Sequence, residues 1–150
     1  MRFINSAVAY DSGLMMDQSP PLLRWDIFCR VIDNLGDAGV CLRLAADLAS
    51  RGLQVCLYID QTAVLADLMG NATYSKSLSI RLWPDDTQSF SASEVADVVI
   101  EAFACDPPSA YISAMAQSDK PPVWINLEYL SAEAWVEESH GLPSPHPRYA

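Results

Sequence analysis

Short apolar runs alternate with amphipathic segments from Trp25 onward, which predicts repeated βα units around a parallel sheet. The apolar runs contain few polar positions, as expected for strands whose two faces are both covered by helices. Five strands are predicted, at residues 25–32, 53–59, 80–83, 97–103 and 123–127. Four helices are predicted, at residues 38–50, 62–69, 108–117 and 132–138, with the stretch 85–92 as a loop. The sequence therefore predicts the α/β class, with a Rossmann-like doubly wound parallel sheet.

The pattern also predicts how the chain is divided. Residues 1–24 show no sustained period and end near Ser19-Pro20-Pro21, so we expect a flexible leader there. Residues 25–139 contain all the predicted strands and helices and should form one Rossmann-like domain. Residues 140–150 contain three prolines and no further element, so we interpret them as a truncated linker.

The composition predicts a core and disfavours negatively charged binding partners. With 51% hydrophobic and 19% charged residues, the chain has enough apolar material for a core. Nineteen acidic against nine basic residues give a net charge of −10, which opposes binding to nucleic acid or to anionic lipid surfaces. The same charge would attract a cationic macromolecule, such as a protein that presents an arginine, although many domains are simply acidic. No apolar run is long enough to span a membrane.

The cysteines and histidines predict no metal site. Neither a C-x-x-C pair nor a histidine at ligand spacing occurs, and His140 and His146 flank a proline-rich tail, where surface positions are expected. We expect the cysteines to be reduced core residues, and without a signal peptide the chain is expected in the cytoplasm. The four cysteines are Cys29, Cys41, Cys56 and Cys105.

Candidate chemistry lies in the loop after the first strand, because open α/β sheets bind ligands beyond the carboxyl ends of their strands. This loop lacks the glycine spacing of a dinucleotide site and the lysine of a P-loop. It carries two aspartates four residues apart, Asp33 and Asp37, which could act as a general base and an orienting partner. Equally, Asp37 could be a helix N-cap, and Asp33 with Asn34 could stabilise a turn.

Other carboxylates are weaker candidates. Glu101 ends the fourth predicted strand and Glu128 the fifth, both at the carboxyl edge of the sheet. Asp85 and Asp86 lie in a loop, where solvated side chains are the usual finding.

Three longer segments carry a resemblance to a known family. They are WDIFCRVIDNLGDAGVCLRLAADLASRG (25–52), ADVVIEAFAC (96–105) and WINLEYLSAEAWVEESHGLPSPHP (124–147). In this order they closely resemble the N-terminal domain of the bacterial protein-arginine rhamnosyltransferase family, EarP. The resemblance implies the N-terminal half of a GT-B glycosyltransferase, which inverts the sugar centre as it moves rhamnose from dTDP-β-L-rhamnose to an arginine of translation elongation factor P.

The resemblance also assigns roles within the loop. Asp37 matches the family's general base and Asp33 its companion aspartate, while Asn34, Leu35 and Gly36 would line the donor. It implies no cofactor and no metal. The family's second, donor-binding domain is absent from this sequence, so the chain is expected to be a fragment with little activity alone.

The sequence departs from the family at a few positions and leaves other functions open. Leu42 replaces the usual tryptophan, and Ala46 with Asp47 replaces a more basic pair, which predicts changes of packing or surface. The first alternative is a Rossmann-like module that binds elongation factor P without catalysis. The second, a generic nucleotide-binding or flavodoxin-like domain, needs a phosphate loop that the sequence does not supply.

Overall fold

The structure, a computed structural model, describes residues 23–32, 35–85, 87–129 and 131–143. Most of the expected leader and the tail from residue 144 onward therefore lie outside the described residues. The strands are β1 (Arg24–Cys29), β2 (Gln54–Ile59), β3 (Leu78–Leu82), β4 (Val98–Ala102) and β5 (Val123–Leu127). The helices are α1 (Gly36–Ser50), α2 (Thr62–Met69), α3 (Ser109–Ala116) and α4 (Trp135–Ser139), and one 3₁₀ turn lies at Ala92–Glu94.

The five strands form one parallel sheet in the order β3-β2-β1-β4-β5. The chain first builds the sheet outward from β1 to β3 and then returns to place β4 on the other side of β1. This order confirms the predicted Rossmann-like doubly wound sheet. It also makes β1 and β4 central neighbours, so their carboxyl ends meet at the point where the winding direction reverses.

Alternating side chains of the central strands pack into two separate cores, one on each face of the sheet. Ile27 and Cys29 of β1 lie in the first core, and Phe28 lies in the second. We call these the α1 face, which packs against α1 and α2, and the α3 face, which packs against α3. Covering helices on both faces explain why the central strands carry few polar residues.

Helix α1 packs against the sheet through small side chains. Its buried positions follow a helical period, and Val40 is exposed. Small side chains allow the helix to approach the strands closely. The buried apolar residues of α1 are Ala38, Cys41, Leu42, Ala45 and Ala49.

Aromatic rings dominate the α3 face. The ring of Phe28 stacks on Tyr58 with centroids 4.8 Å apart. It makes edge-to-face contacts with Tyr111 and Trp83, at centroid distances of 4.8 Å and 5.7 Å. Offset and edge-to-face pairs of this kind add stabilisation beyond the area they bury. Phe28 is therefore the centre of this core.

A buried carboxylate is built into the same face. The Tyr111 hydroxyl donates to Asp26 Oδ2 at 2.6 Å and accepts a hydrogen bond from the Ala96 amide at 3.1 Å. Burial raises the pKa of Asp26 above its ordinary value of 3.8, against the opposing effect of the Tyr111 hydrogen bond. The proton of Asp26 is thus bound more tightly in the folded chain than in the unfolded chain.

This difference predicts a pH-dependent stability for the Asp26→Asn variant. In the wild type, the free energy of unfolding contributed by Asp26 should fall as the pH rises from 3.8 through the raised pKa, and then level off. Asparagine cannot ionise, so the variant should gain stability relative to the wild type over that interval. Urea denaturation of both chains at a series of pH values checks this. A difference that stays constant with pH would contradict it.

The predicted boundaries were wrong at several ends. β1 ends at Cys29 rather than at residue 32, because the neighbouring strands end level with Cys29 and the Val31 amide donates to the Asp60 side chain instead. α1 begins two residues before the predicted start, at Gly36. α4 begins at Trp135 rather than at residue 132, and the Trp135 side chain is exposed. Gly52, just beyond α1, and Gly70, which follows α2, both have the positive φ that commonly ends a helix.

Candidate active site

Three strand ends lie level at the carboxyl edge of the sheet. Cys29 is the register partner of Ala102, and Ala102 is the register partner of Leu127. The segments that leave β1, β4 and β5 therefore begin side by side. This edge contains the β1/β4 reversal, where open α/β sheets bind their ligands.

Asp37 lies at this edge, in the first turn of α1, and its carboxylate is anchored at both oxygens. Oδ2 accepts a hydrogen bond from the Ile32 amide at 3.0 Å, and Oδ1 accepts one from the Tyr129 hydroxyl at 2.8 Å. The side chain is buried, with a relative exposure of only 1%. Both donors and the positive end of α1 stabilise the ionised carboxylate.

The interpretation of Asp37 as the helix N-cap was wrong. The cap position belongs to Leu35, which makes no side-chain cap hydrogen bond, because the helix begins at Gly36. The Asp37 carboxylate instead reaches back to Ile32 and across to Tyr129. The carboxylate therefore links the segment after β1 to the segment after β5, and its position leaves a chemical role open.

The other loop residues are only partly described. Leu35 and Gly36 are exposed at the start of α1, on the surface above the strand ends. Asp33 and Asn34 lie outside the described residues, so the pairing of Asp33 with Asp37 stays a prediction.

Unusual backbone geometry follows β4. Phe103, Ala104 and Asp106 have φ values of 58°, 50° and 49°, in the left-handed region that side chains with a Cβ rarely adopt. Such strain persists only where the surroundings impose it, and it is frequent at functional sites. The loop is held by the Phe103 amide, which donates to Leu127 O at 2.7 Å, and by the Asp106 amide, which donates to Glu101 Oε1 at 3.1 Å.

This loop presents the Phe103 ring to Tyr129. The two rings are stacked, with centroids 4.2 Å apart and planes 14° apart. Phe103, Tyr129 and Asp37 therefore form a continuous contact from the end of β4, through the end of β5, to the start of α1. We call these three residues the strand-end triad.

Side-chain hydrogen bonds also hold the residues that directly follow β1. The Val31 amide donates to Asp60 Oδ1 at 3.0 Å, and Gln61 Nε2 donates to Val31 O at 3.2 Å. Arg30 lies over the Trp83 ring at 4.6 Å from its centroid, a cation–π contact. Arg30 and Val31 are thus fixed from the β2 and β3 sides of the sheet.

The weaker carboxylate candidates differ in their surroundings. Glu101 is buried and holds the Asp106 amide. Glu128 is exposed and accepts a hydrogen bond from Asn126 Nδ2 at 2.8 Å. Asp85 is exposed in its loop, where hydrogen bonds from Thr87 lower its pKa, and Asp86 lies outside the described residues.

The cysteines behave as core thiols. Cys29, Cys41 and Cys105 are buried, Cys56 is half-buried, and none of the four is in a disulfide. The pKa of Cys29 is raised by its hydrogen bond to Cys41 and by burial, and burial raises that of Cys105 to about 12. Thiols in this state are poor nucleophiles.

Neither a metal-binding cluster nor a membrane-spanning helix occurs among the described residues. No group of three or more His, Cys, Asp or Glu side chains could hold a metal ion among those residues. His140 is exposed at the end of α4, and His146 lies outside the description. None of the described helices is long and apolar enough to cross a membrane.

Comparison with known proteins decides the family. The profile of the family described as "Elongation-Factor P (EF-P) rhamnosyltransferase EarP" matches residues 25–150. The chain belongs to the EarP family. The match begins at the second residue of β1 and includes every strand and helix of the sheet, so the family assignment and the fold rest on the same residues.

Individual EarP relatives are similar over most of this chain. The protein-arginine rhamnosyltransferase of Pseudomonas putida is 48% identical over 130 residues, which cover 82% of this chain and 34% of the relative. The enzyme of the same name from Pseudomonas aeruginosa is 43% identical over 80% of this chain and 33% of its own length. That from Neisseria meningitidis is 41% identical over 85% and 34%. The chain thus spans about a third of these relatives.

Leu42 and Asp47, two positions where a departure from the EarP pattern is expected, both lie on α1. Leu42 is buried on α1 and lines a shallow cavity of about 200 Å³ between α1 and the end of α2, together with Leu68 and Tyr74. Asp47 is exposed and pairs with Arg51 at 2.8 Å. Leu42 therefore has a packing position and Asp47 a surface position.

Two members of the triad were missed by the sequence reasoning. Tyr129 lies outside any regular element, and Phe103 was assigned only to the end of a strand. The sequence did indicate that both residues come at or after the carboxyl end of a predicted strand. To place them near Asp37 one must also know the order of the strands in the sheet, which the structure gives.

Proposed function

We propose that this chain is the acceptor-side part of an inverting, GT-B-type protein-arginine rhamnosyltransferase. The reaction would move rhamnose from dTDP-β-L-rhamnose to an arginine of translation elongation factor P, in the cytoplasm. The observation that carries the proposal is Asp37: an EarP-family chain holds a buried, doubly hydrogen-bonded carboxylate at the ligand-binding edge of its sheet. No metal or cofactor forms part of the proposed reaction.

An arginine acceptor must be both oriented and deprotonated, and a carboxylate can do both. A guanidinium with a pKa above about 12 is a poor nucleophile until a base orients it and accepts a proton. Asp37 is proposed to do both. A charge-assisted hydrogen bond from one nitrogen fixes that nitrogen relative to the sugar.

The proposed transfer of rhamnose is a single displacement at the anomeric carbon. The arginine nitrogen forms a bond to the anomeric carbon as the bond from that carbon to the dTDP oxygen breaks. The electron pair leaves with dTDP, and the proton from the nitrogen passes to Asp37. Attack opposite to the leaving group inverts the sugar centre. Asp33 is proposed as the companion carboxylate, and Asn34, Leu35 and Gly36 as donor-lining residues.

The overall charge suits this acceptor. The chain has a net charge of −10, which steers a cationic group toward it at moderate ionic strength. The same charge opposes nucleic-acid partners.

A chimeric enzyme tests the proposal. Residues 25–150 of this chain would replace the matching segment of the Pseudomonas putida relative, which is 48% identical. We expect the chimera to add one deoxyhexose to unmodified elongation factor P in the presence of dTDP-β-L-rhamnose, as read by intact-protein mass spectrometry. The 150-residue chain alone should be slow or inactive.

The unaltered Pseudomonas putida enzyme is the matched control. A folded chimera that binds elongation factor P without transferring sugar would contradict the proposal and favour the non-catalytic binding module. A chimera that neither binds nor transfers would reject both functions.

A further inference from the structure

Tyr129 makes the two contacts that an arginine side chain would make at the same place. Its flat ring stacks on Phe103 at a centroid distance of 4.2 Å, and its terminal hydroxyl donates to Asp37 Oδ1 at 2.8 Å. A guanidinium is also planar, stacks on aromatic faces and donates to carboxylates. The phenol therefore occupies a position whose surroundings suit a planar hydrogen-bond donor with positive charge.

The fold fixes Asp37 and Phe103, whereas Tyr129 lies outside the strands. Asp37 is fixed through Oδ2 to the Ile32 amide, and Phe103 belongs to the left-handed loop after β4. Tyr129 lies beyond the end of β5, and its relative exposure is 55%. Rotation of this side chain would leave the carboxylate and the ring of Phe103 in place.

Burial shows why such a movement is needed. Asp37 is 1% exposed and Phe103 is 7% exposed with Tyr129 in this position. A general base must come within hydrogen-bond reach of the group that it deprotonates. An arginine from another protein therefore cannot contact Asp37 unless what covers the carboxylate moves.

We propose that Asp37 and Phe103 form a subsite for the acceptor arginine, which the Tyr129 side chain occupies until the arginine displaces it. The carboxylate would accept a guanidinium N–H in place of the phenol O–H, and the Phe103 ring would stack on the guanidinium in place of the phenol ring. This inference rests on the proposed function for the identity of the acceptor. It adds where the arginine binds and which side chain competes with it.

Truncation of the competing side chain is the test. NMR titration of the 150-residue chain with N-acetyl-L-arginine amide measures the affinity of the subsite. Tyr129→Ala should bind this probe about tenfold more tightly than the wild type, because the bound arginine no longer replaces a hydrogen bond to a charged group. Tyr129→Phe keeps the stacked ring and loses the hydroxyl, so a smaller gain of about threefold is expected.

Three comparisons make this result specific. N-acetyl-L-lysine amide should gain less from Tyr129→Ala, since an ammonium does not stack as a flat group. Adding Asp37→Asn to Tyr129→Ala should remove the gain. Tyr111→Phe, which also deletes a hydroxyl bonded to a buried aspartate but on the α3 face, should leave arginine binding unchanged.

Equal or weaker arginine binding by both Tyr129 variants would overturn the inference, and would make Tyr129 a support for Asp37 rather than its competitor. The outcome is separate from that of the chimera. Sugar transfer by the chimera without the affinity gain would reject the subsite alone. The affinity gain without transfer would retain the arginine subsite and reject the glycosyltransferase.

Discussion

Replacing Asp37 by Asn in the chimeric enzyme should lower the rate of rhamnosyl transfer by about 10²–10⁴-fold, the contribution of a positioned general base. Asparagine has nearly the same size, and its amide oxygen can still accept the hydrogen bond from the Ile32 amide. It cannot take a proton from the guanidinium. The affinity for the whole elongation factor P should change little, because one side chain supplies a small part of a protein–protein interface.

Initial rates over a range of acceptor concentrations separate these effects. The loss should appear in kcat, while KM for elongation factor P stays within a few-fold of that of the parent. Asp47→Asn is the matched control: the same change on the same helix, at an exposed residue that pairs only along the surface with Arg51. Its rate should equal that of the parent. If Asp37→Asn retained more than a tenth of the parent rate, Asp37 would not be the base.

Periodicity predicted the elements and the class of fold because both depend on patterns within a few residues. The paired strand ends could not be predicted in the same way. Val31 and Ile32 are as apolar as the strand before them, yet they leave the sheet because the neighbouring strands offer no partners beyond Ile59 and Ala102. Strand length is decided by the neighbours, which the local sequence does not reveal.

The candidate site also combines features that the local sequence predicts with contacts that it does not. Asp37 could be predicted because it lies in the first loop at the carboxyl edge, a general property of open α/β sheets. Its contact with Tyr129 joins residues 92 positions apart, so no spacing rule indicates it. The left-handed backbone at Phe103 and Ala104 was equally hidden, since neither residue type signals positive φ.

Strand β1 connects the candidate site with the core on the α3 face. This strand supplies the segment that leads to Asp37, and it also carries Phe28, which is fully buried at the centre of the α3 face. The Phe28 carbonyl accepts a hydrogen bond from Cys105 Sγ at 3.2 Å, which ties β1 to the loop that presents Phe103. Packing on the α3 face thus helps to fix the strained loop behind the candidate site.

Phe28→Ala should therefore have the largest effect on stability among the substitutions considered. Deleting a fully buried phenylalanine lowers the free energy of unfolding by about 3–5 kcal/mol. The ring contacts with Tyr58, Tyr111 and Trp83 are lost together. These neighbours cannot close the space because they are held separately, on β2, on α3 and just after β3. A domain with about 5–15 kcal/mol in total would keep only a fraction of its stability.

Urea denaturation of the 150-residue chain, followed by circular dichroism, measures this loss. Leu82→Ala on β3 is the matched control, because this leucine lies in the same sheet but is 64% exposed, and its removal should change the free energy of unfolding by no more than about 0.5 kcal/mol. A loss below about 1 kcal/mol for Phe28→Ala would mean that the rings do not pack as a single cluster. The α3 face would then be too loosely packed to hold the loop at Phe103 in its left-handed conformation.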